Sequence, residues 1–456
     1  MRIFIFVSLS FVSTALFSQQ LERIKGKVVD ENNVPIAYAS IGILNTWIGT
    51  ASNGQGYFSL DISTIPDTAY LQVSAISYKT FIKRIEKIGD KDSLIIKLAP
   101  HYTILKELEI SSAGQDAKHI VQNALLNWHK NYPQEKYQLQ GFYRELLRND
   151  ETYVYLTEAA FTLQDRGYHK EKDKKFRIDA LRKSDDMRDM DSLDVYYDNF
   201  MRSNDLQAMF RRDFMDSQSR NWSLPFWSGF NQYFIENNSF FLDSMSYFNG
   251  VPVYCVSFYS EGRWANYYKD KIEYKQMIIN AEDYAIIEYR TKTKPKEVTY
   301  TKDNVKGNAS YLIDGEFFSS KMIKYTKYKG KYYPFLISAY SSVVGGDRQK
   351  SSRMAFEKLR EEGENELDYD GVSYNGRKLN PDENNYYRHQ QMVITSIKNA
   401  KDKDLYIRDK SMPYDPDFWK HFNTILVDED LKSAKEQLES KRTLEEQFAA
   451  NGQVDQ

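Results

Sequence analysis

The chain has 456 residues, with 62 Lys and Arg against 64 Asp and Glu, so its formal net charge is −2. This balance excludes the broad positive surface of a dedicated nucleic-acid-binding protein. With 41% hydrophobic and 28% charged residues, the composition is typical of a globular protein of two or three domains. The single cysteine, Cys255, excludes a disulfide framework or a zinc site of several thiolates, and its apolar neighbours predict that it is buried.

The first residues have the parts of a secretory signal peptide. Arg2 supplies the positive region, residues 3–16 are mostly apolar, and small residues follow up to Ser18. We therefore expect residues 1–18 to be a cleaved signal peptide and the protein to be periplasmic, with association with the outer membrane left open. No transmembrane segment is expected in the mature chain, because the apolar stretch is too short and no later one is longer.

Residues 19–100 carry short alternating runs separated by turn-forming pairs such as Asn53-Gly54 and Pro66-Asp67. Alternation with a period of two is typical of half-buried strands. The pattern predicts a small β-sandwich with seven strands, at 24–30, 37–44, 48–51, 57–62, 69–75, 81–85 and 94–98.

Residues 101–400 have the pattern of a larger, mainly β domain. Apolar residues at helical spacing predict a helix that begins with Asp116 as its N-cap and ends before Pro133. Three hairpins are predicted, pairing 137–147 with 152–163, 271–280 with 284–291, and 321–328 with 331–341, and single strands are predicted at 240–246, 252–259 and 391–397.

Three further segments are predicted to lie outside the core. The charged segment 164–221 is expected to be an insertion of short helices and loops, residues 345–388 an exposed loop region, and residues 401–456 a polar, partly helical C-terminal tail. The predicted fold is therefore mainly β, of the α+β class. It has an N-terminal seven-stranded β-sandwich followed by a larger antiparallel β domain with helical insertions.

A polar cluster on the first predicted hairpin supplies candidate ligand-binding residues. With the turn at Asn149-Asp150, Arg144 would face Tyr155, and Glu145 would lie on the opposite side of the ribbon. Glu158 would share the face of Glu145, about 13 Å along the strand, which is too far for a retaining carboxylate pair.

We therefore predict ligand contact, and no catalysis, for Tyr143, Arg144, Glu145 and Glu158. The alternative interpretation is structural: Arg144 would stack on tyrosines or pair with a carboxylate at the edge of the core.

A second candidate surface combines lysines and tyrosines on the last predicted hairpin. Lys327 and Tyr328 lie at its centre, among lysines and tyrosines that could hold an anionic glycan or a lipid headgroup. The alternative is that these lysines discourage edge-to-edge strand pairing.

The sequence predicts no catalytic residues, metal or cofactor. Its six histidines include no pair at a metal-binding spacing, and neither a Gly-x-Ser-x-Gly motif nor a phosphate-binding glycine loop occurs.

Several stretches resemble the carboxypeptidase regulatory-like domain, a transthyretin-type β-sandwich common in Bacteroidetes envelope proteins. They are Gly-Lys-Val-Val-Asp at 26–30, Pro-Ile-Ala-Tyr-Ala-Ser-Ile at 35–41, Ile-Gly-Thr at 48–50, residues 53–60 and Ile-Ser-Tyr-Lys at 76–79. Ser77 departs from the glycine that is usual there. The resemblance implies an accessory module, without the zinc-binding catalytic domain of the carboxypeptidases.

The part of the chain after this module is similar to uncharacterised envelope proteins that carry the same module. The stretches that carry this similarity are residues 131–133, 141–145 and 415–419. The later hairpins are similar in architecture to curved half-barrels that carry lipoproteins or lipids through the periplasm.

These observations predict a non-catalytic periplasmic binding or scaffolding protein, with the sandwich as a docking module and an envelope protein, glycan or lipid as its partner. One alternative is a carrier or sensor of a hydrophobic envelope molecule, which would need a hollow interior. The other is a hydrolase acting on glycan or peptide, which would need Glu145, Glu158 or histidines in one cleft.

Overall fold

The structure is a computed structural model that describes residues 22–89, 91–103, 113–149, 152–168, 175–185, 187, 210, 213–215, 230–260, 272–293, 296–297, 316–344, 386–399, 413–426 and 430–451. The predicted signal peptide and most of the predicted loop region at 345–388 lie outside these residues. The described strands form sheets of three, four and twelve strands, which confirms the predicted mainly β class. None of the described helices combines the length and apolar character needed to cross a bilayer.

The predicted seven-stranded sandwich is confirmed. Its strands are β1 Arg23–Asp30, β2 Ser40–Ile43, β3 Gly49–Ala51, β4 Tyr57–Asp61, β5 Tyr70–Ser74, β6 Phe81–Arg84 and β7 Leu94–Leu98, with a 3₁₀ turn at Ile85–Lys87. One sheet has the order β4-β1-β7 and the other β3-β2-β5-β6. Alternation along β1 and β4 places Val28, Phe58 and Leu60, all fully buried, between the two sheets.

All neighbouring strands of the large sheet are antiparallel. The strands are β8 Tyr102–Thr103, β9 Tyr137–Asn149, β10 Thr152–Asp165, β11 Lys175–Lys183, β12 Asn238–Phe248, β13 Val251–Ser260, β14 Ile272–Asn280, β15 Ile286–Thr293, β16 Lys296–Glu297, β17 Glu316–Tyr328, β18 Lys331–Val344 and β19 Tyr386–Asn399. Their order is β11-β10-β9-β19-β18-β17-β15-β14-β13-β12-β8, with β16 beside β17. The three predicted hairpins are present, and β19 lies between β9 and β18.

The large sheet has two different ends. At the end that we call the turn end, β12–β13 and β17–β18 are joined by the tight turns Asn249-Gly250 and Lys329-Gly330. Both residues of each turn have positive φ, which the type I′ geometry of a two-residue hairpin requires. At the opposite end, the loop end, long stretches of chain join β13 to β14, β15 to β17 and β18 to β19.

Six helices accompany the sheets in the described part of the chain: α1 Ala113–Leu126, α2 Trp128–Asn131, α3 Gln232–Glu236, α4 Pro416–His421, α5 Asp430–Leu438 and α6 Leu444–Asn451. The predicted helix is present as α1, but it begins three residues before the expected N-cap, so that Asp116 lies in its first turn. Trp128 belongs to the separate short helix α2. Apolar spacing defines the buried face of a helix better than it defines the first residue.

One face of the large sheet, the inner face, carries a continuous apolar row, buried at seven of its eight positions and half-buried at Leu181. Its members are paired across eight strands: Met277, Tyr289, Ile323, Ile337, Met392, Tyr143, Ala159 and Leu181. Helices α1 to α3 pack on this face through Val121, Trp128 and Phe234, among others. The inner face is therefore the main core of the molecule.

The segment predicted to be a non-core insertion at 164–221 contributes to this core, so that prediction was wrong for its described residues. It contains β11, and it places Phe210, Phe214 and Met215 among the buried side chains of the inner face. The ring of Phe214 stacks on Tyr289, with ring centroids 4.2 Å apart. The charged residues around these aromatics concealed their role, because the local pattern has no clear period.

Over β9, β10, β18 and β19, the opposite, outer face is covered by the C-terminal part of the chain. Trp419 and Ile425 are buried in one apolar cluster with Phe142, Leu336 and Val393 of the sheet. Residues of α5 and α6 bury a second cluster against β9 and β10. The predicted polar tail is thus an integral layer of the fold in its described part. Its apolar residues are few but correctly spaced to cover a strand face.

The sandwich also contacts this C-terminal layer and the sheet directly. The backbone N–H of Asp61 donates to Asn423 Oδ1 at 2.7 Å, and the Thr50 hydroxyl donates to the carbonyl of Thr424 at 3.2 Å. Lys324 of β17 donates to the carbonyl of Tyr38 at 2.8 Å. The sandwich is therefore held against the rest of the chain by contacts from residues far apart in sequence.

Candidate functional site

The structure places the first set of predicted site residues on β9 and β10, but the predicted pairing was wrong. Arg144 lies opposite Glu158, and Glu145 lies opposite Thr157. The hairpin turns one residue later than predicted, and a register shift between Tyr153 and Tyr155 adds another residue to β10. An odd shift in register exchanges the two faces, so Glu158 shares a face with Arg144 and not with Glu145.

Glu158 is the centre of a buried ion cluster on the outer face. It accepts hydrogen bonds from Arg144 Nε and Arg182 Nε, each at 2.6 Å. Glu158 is 2% exposed and Arg144 is 3% exposed. Burial by itself raises the pKa of Glu158, but the charges and hydrogen bonds of the two arginines outweigh it, so its pKa lies below the ordinary value.

Two aromatic rings pack against the arginines of this cluster. The guanidinium of Arg182 lies 4.3 Å from the ring centroid of Trp419, and that of Arg144 lies 5.1 Å from the ring of Phe142. Both carboxylate oxygens of Glu158 are thus engaged within the protein. This geometry matches the structural alternative for Arg144, in which it pairs with a carboxylate at the core edge.

Tyr143 and Glu145 face the other way, toward the inner face. The hydroxyl of Tyr143 donates to Glu145 Oε2 at 2.5 Å, and Tyr143 is buried in the core. Since Glu145 and Glu158 lie on opposite faces of the sheet, they cannot act on one substrate.

The second predicted surface, at Lys327 and Tyr328, lies at the turn end. Lys321 of β17 is in the same cross-strand row as Glu145, and Tyr328 is seven residues further along, or about 23 Å. The two predicted sets therefore do not form one site.

Lys327 and Tyr328 have partners within the fold. Lys327 Nζ donates to Asp283 Oδ2 at 2.8 Å, and the ring of Tyr328 packs edge-on against Trp47 of the sandwich at 5.3 Å. Lys331 donates to the carbonyls of His129 and Lys130 at the end of α2. These contacts fasten the hairpin to the sandwich and to α2.

The feature that sequence reasoning missed is a cluster of tyrosines on the inner face, which we call the buried tyrosine cluster. Each member is at most 4% exposed, and each ring contacts at least one other ring of the cluster, with the centroids of contacting rings 5.7 to 6.3 Å apart. The members are Tyr132, Tyr137, Tyr168, Tyr325 and Tyr332. The high tyrosine content was the only sequence signal for it.

Asp213 anchors the buried tyrosine cluster. It is 1% exposed, and it accepts hydrogen bonds from the hydroxyls of Tyr168 and Tyr325, each at 2.5 Å, and from the backbone N–H of Met215 at 3.1 Å. Burial, and then the nearby Asp213 charge, raise the pKa of both tyrosines well above the ordinary value. They are therefore hydrogen-bond donors to the carboxylate and have no acid–base role near neutral pH.

One groove of about 390 Å³ lies between α1 and α3. Its lining is about half polar and half apolar, with the polar side chains His119, Gln122, Asn123 and Gln232 and the apolar side chains Leu125, Leu126 and Ile235.

Within the described ranges, no three His, Cys, Asp or Glu side chains lie close enough together to hold a metal ion. Cys255 is buried, as predicted, and burial raises the pKa of its thiol. A protonated, buried thiol is a poor nucleophile and a poor metal ligand.

Comparison with known proteins identifies the N-terminal part. Residues 24–110 match the family model of the CarboxypepD_reg-like domain, which confirms the resemblance seen in the sequence of the sandwich. A search of curated proteins found no significant match to the chain.

Solved structures to which this chain is similar include three bacterial proteins. They are a domain named for outer membrane lipoprotein sorting from Vibrio parahaemolyticus (8% identity, TM-score 0.24, 64% of this chain and 95% of that chain), a DUF1329 family protein from Desulfovibrio piger (7%, 0.23, 63% and 95%) and a LolA superfamily protein from Nitrosomonas europaea (8%, 0.20, 64% and 98%). These TM-scores are too low to establish a shared fold.

Proposed function

We propose that this protein is a non-catalytic binding or scaffolding protein of the cell envelope. The observation that carries the proposal is the filled inner face of the large sheet. There the buried tyrosine cluster and helices α1 to α3 occupy the volume in which a carrier would need a cavity.

The hydrogen bonds of Asp213 argue against a cavity that forms on the inner face when a ligand binds. Its carboxylate is held by the hydroxyls of Tyr168 and Tyr325, which belong to two separate segments, and by the backbone N–H of Met215 in its own segment. Parting these segments would expose a buried charge to an apolar ligand, at a cost of several kcal/mol. A rigid platform is therefore favoured over a lipid carrier.

The geometry also favours binding over catalysis. A hydrolase would need Glu145 and Glu158 in one cleft, but they lie on opposite faces of the sheet. Glu158 is also occupied by two arginines, which leaves it unable to serve as a general acid.

The envelope location is supported by the signal-type N-terminus and by the CarboxypepD_reg-like match of the sandwich. One side of the sandwich packs on the C-terminal layer and the large sheet. We therefore propose that any partner of the sandwich docks on the sides of the sandwich that face away from these contacts.

Lipid analysis of the full chain tests the choice between platform and carrier. We expect organic extracts of the purified protein to contain no stoichiometric lipid, and the fluorescent probe N-phenylnaphthylamine to show no saturable binding. Met277→Ala is the control, because it removes a fully buried inner-face side chain and leaves a space for an apolar probe. One lipid per wild-type chain, displaced by the probe, would overturn the platform proposal.

A further inference from the structure

An aromatic patch lies on the outer face of β12 to β14, toward the loop end. Phe241 is 48% exposed, Tyr259 47% and Tyr274 37%. The rings of Phe241 and Tyr259 are 5.8 Å apart. Among the described residues, Ser77 of the sandwich side hydrogen-bonds to Ser246 and Tyr247 of β12 at the turn end, whereas the patch lies toward the other end of the strand. Three exposed rings in one place on a sheet surface mark an interaction site.

A row of polar side chains lies beside the rings on the same face. Ser257, Gln276 and Arg290 are neighbours across β13, β14 and β15, and Phe241 is opposite Ser257. Asp243 accepts from the Ser257 hydroxyl at 2.7 Å and from Gln276 Nε2 at 2.8 Å.

The amide of Gln276 is held from its other side as well. Its Oε1 accepts from Arg290 Nε at 2.9 Å and from Nη2 at 2.6 Å. The polar groups beside the rings are therefore fixed in position before any ligand arrives, which lowers the entropy cost of binding.

We propose that this surface binds a neutral polysaccharide. Pyranose rings would stack their C–H faces on Phe241, Tyr259 and Tyr274, and their hydroxyls would bond to the polar row. Hydroxyls both donate and accept, and the row offers both a carboxylate and a guanidinium. This inference rests on the proposed binding role and names its ligand class.

The chemistry of the surface favours a neutral glycan over other partners. Asp243 and Arg290 carry opposite charges within the row, and Glu288 is paired within the sheet with Arg290 at 3.6 Å and with Lys324 at 3.5 Å, so the row has no concentrated charge of one sign to attract an anionic polymer. Three rings form too small an apolar area for a standard protein interface, and a flat strand surface cannot enclose an acyl chain.

Immobilised oligosaccharides test the inference on the full chain. The probes are cellohexaose, chitohexaose, maltohexaose, xylohexaose and mannohexaose, with calorimetric titration of the best ligand afterwards. We expect at least one to bind, and both Tyr259→Ala and Phe241→Ala to weaken that binding at least tenfold. Asp243→Asn, which keeps the shape of the side chain, should also weaken it.

Tyr70→Ala is the matched control, because Tyr70 is 44% exposed on the sandwich and distant from the patch. It should change the affinity less than twofold, and thermal melts should show that all variants remain folded. Retention of no oligosaccharide, or equal binding by wild type and the Tyr259→Ala variant, would overturn the inference. Either outcome leaves the lipid analysis of the filled inner face unaffected, so the two proposals fail separately.

Discussion

The sandwich and the large sheet are both antiparallel for the most part, yet their cores are assembled differently. In the described part of the chain, the residues of the sandwich core all lie between Ile24 and Leu98. The large sheet needs cover from segments far away in sequence: α1 and α2, Phe210 to Met215, and the C-terminal layer that contains Trp419.

This difference explains how the two regions depend on the rest of the chain. A sandwich can bury its own two sheets against each other, whereas a single sheet has two apolar faces and must recruit other elements for each. The stability of the large sheet should therefore depend on distant contacts, and that of the sandwich should not.

The largest expected effect comes from deleting residues 413–456. The deletion would expose Phe142, Leu336 and Val393 on the outer face, so we expect the large sheet to lose its cooperative thermal transition. The sandwich should survive as a protease-resistant fragment. Circular dichroism melts with limited proteolysis measure both. An unchanged melt would show that the outer face does not need this layer.

Glu158→Gln should destabilise the large sheet by about 3–5 kcal/mol, because it leaves the buried Arg144 and the half-buried Arg182 without their counter-charge. The folded-state pKa of Glu158 is below the ordinary value. The contribution of the Glu158 charge to the free energy of unfolding is therefore present above the ordinary carboxyl pKa, near 4, and is lost as the pH falls through the folded-state pKa.

Urea titrations of wild type and the Glu158→Gln variant at several pH values measure this contribution. The difference in unfolding free energy between wild type and the variant should reach its full size at pH 7 and should decrease below about pH 4. Glu86→Gln, at an exposed ion pair with Arg84, is the control and should cost less than about 1 kcal/mol. A difference that does not change with pH would contradict the role of the Glu158 charge.

Phe58→Ala should cost about 3–5 kcal/mol, since Phe58 is fully buried between the two sheets of the sandwich. A fragment of residues 22–100 should unfold cooperatively on its own and show the same loss in urea. If the fragment does not unfold cooperatively, the sandwich core is shared with the large sheet.

The smallest effect is expected at the contact between the two regions. Asn423→Ala removes the acceptor for the backbone N–H of Asp61 and should cost about 1–2 kcal/mol. Hydrogen exchange of the Asp61 amide is the readout, and it should become faster in the variant. Unchanged protection at Asp61 would indicate that another contact holds the sandwich in place.

The positions of strands and hairpins could be predicted because they depend on the spacing of apolar and turn-forming residues that are close in sequence. The alternation that buries Phe58 and the apolar period of α1 each involve residues close in sequence. The candidate site residues could be located on their strands for the same reason, but their partners could not. The pairing of Arg144 with Glu158 depends on a register shift within β10, and one residue of shift reverses a face.

The sequence by itself determined the sandwich, the hairpins and the near-zero net charge, because composition and period can be read without knowing the tertiary contacts. Only the tertiary structure decided which face each side chain occupies and which distant segment covers it. Asp213 lies in a stretch without clear periodicity, yet it accepts hydrogen bonds from Tyr168, 45 residues before it, and from Tyr325, 112 residues after it. Such contacts arise from the packing of whole elements, which no window of sequence contains.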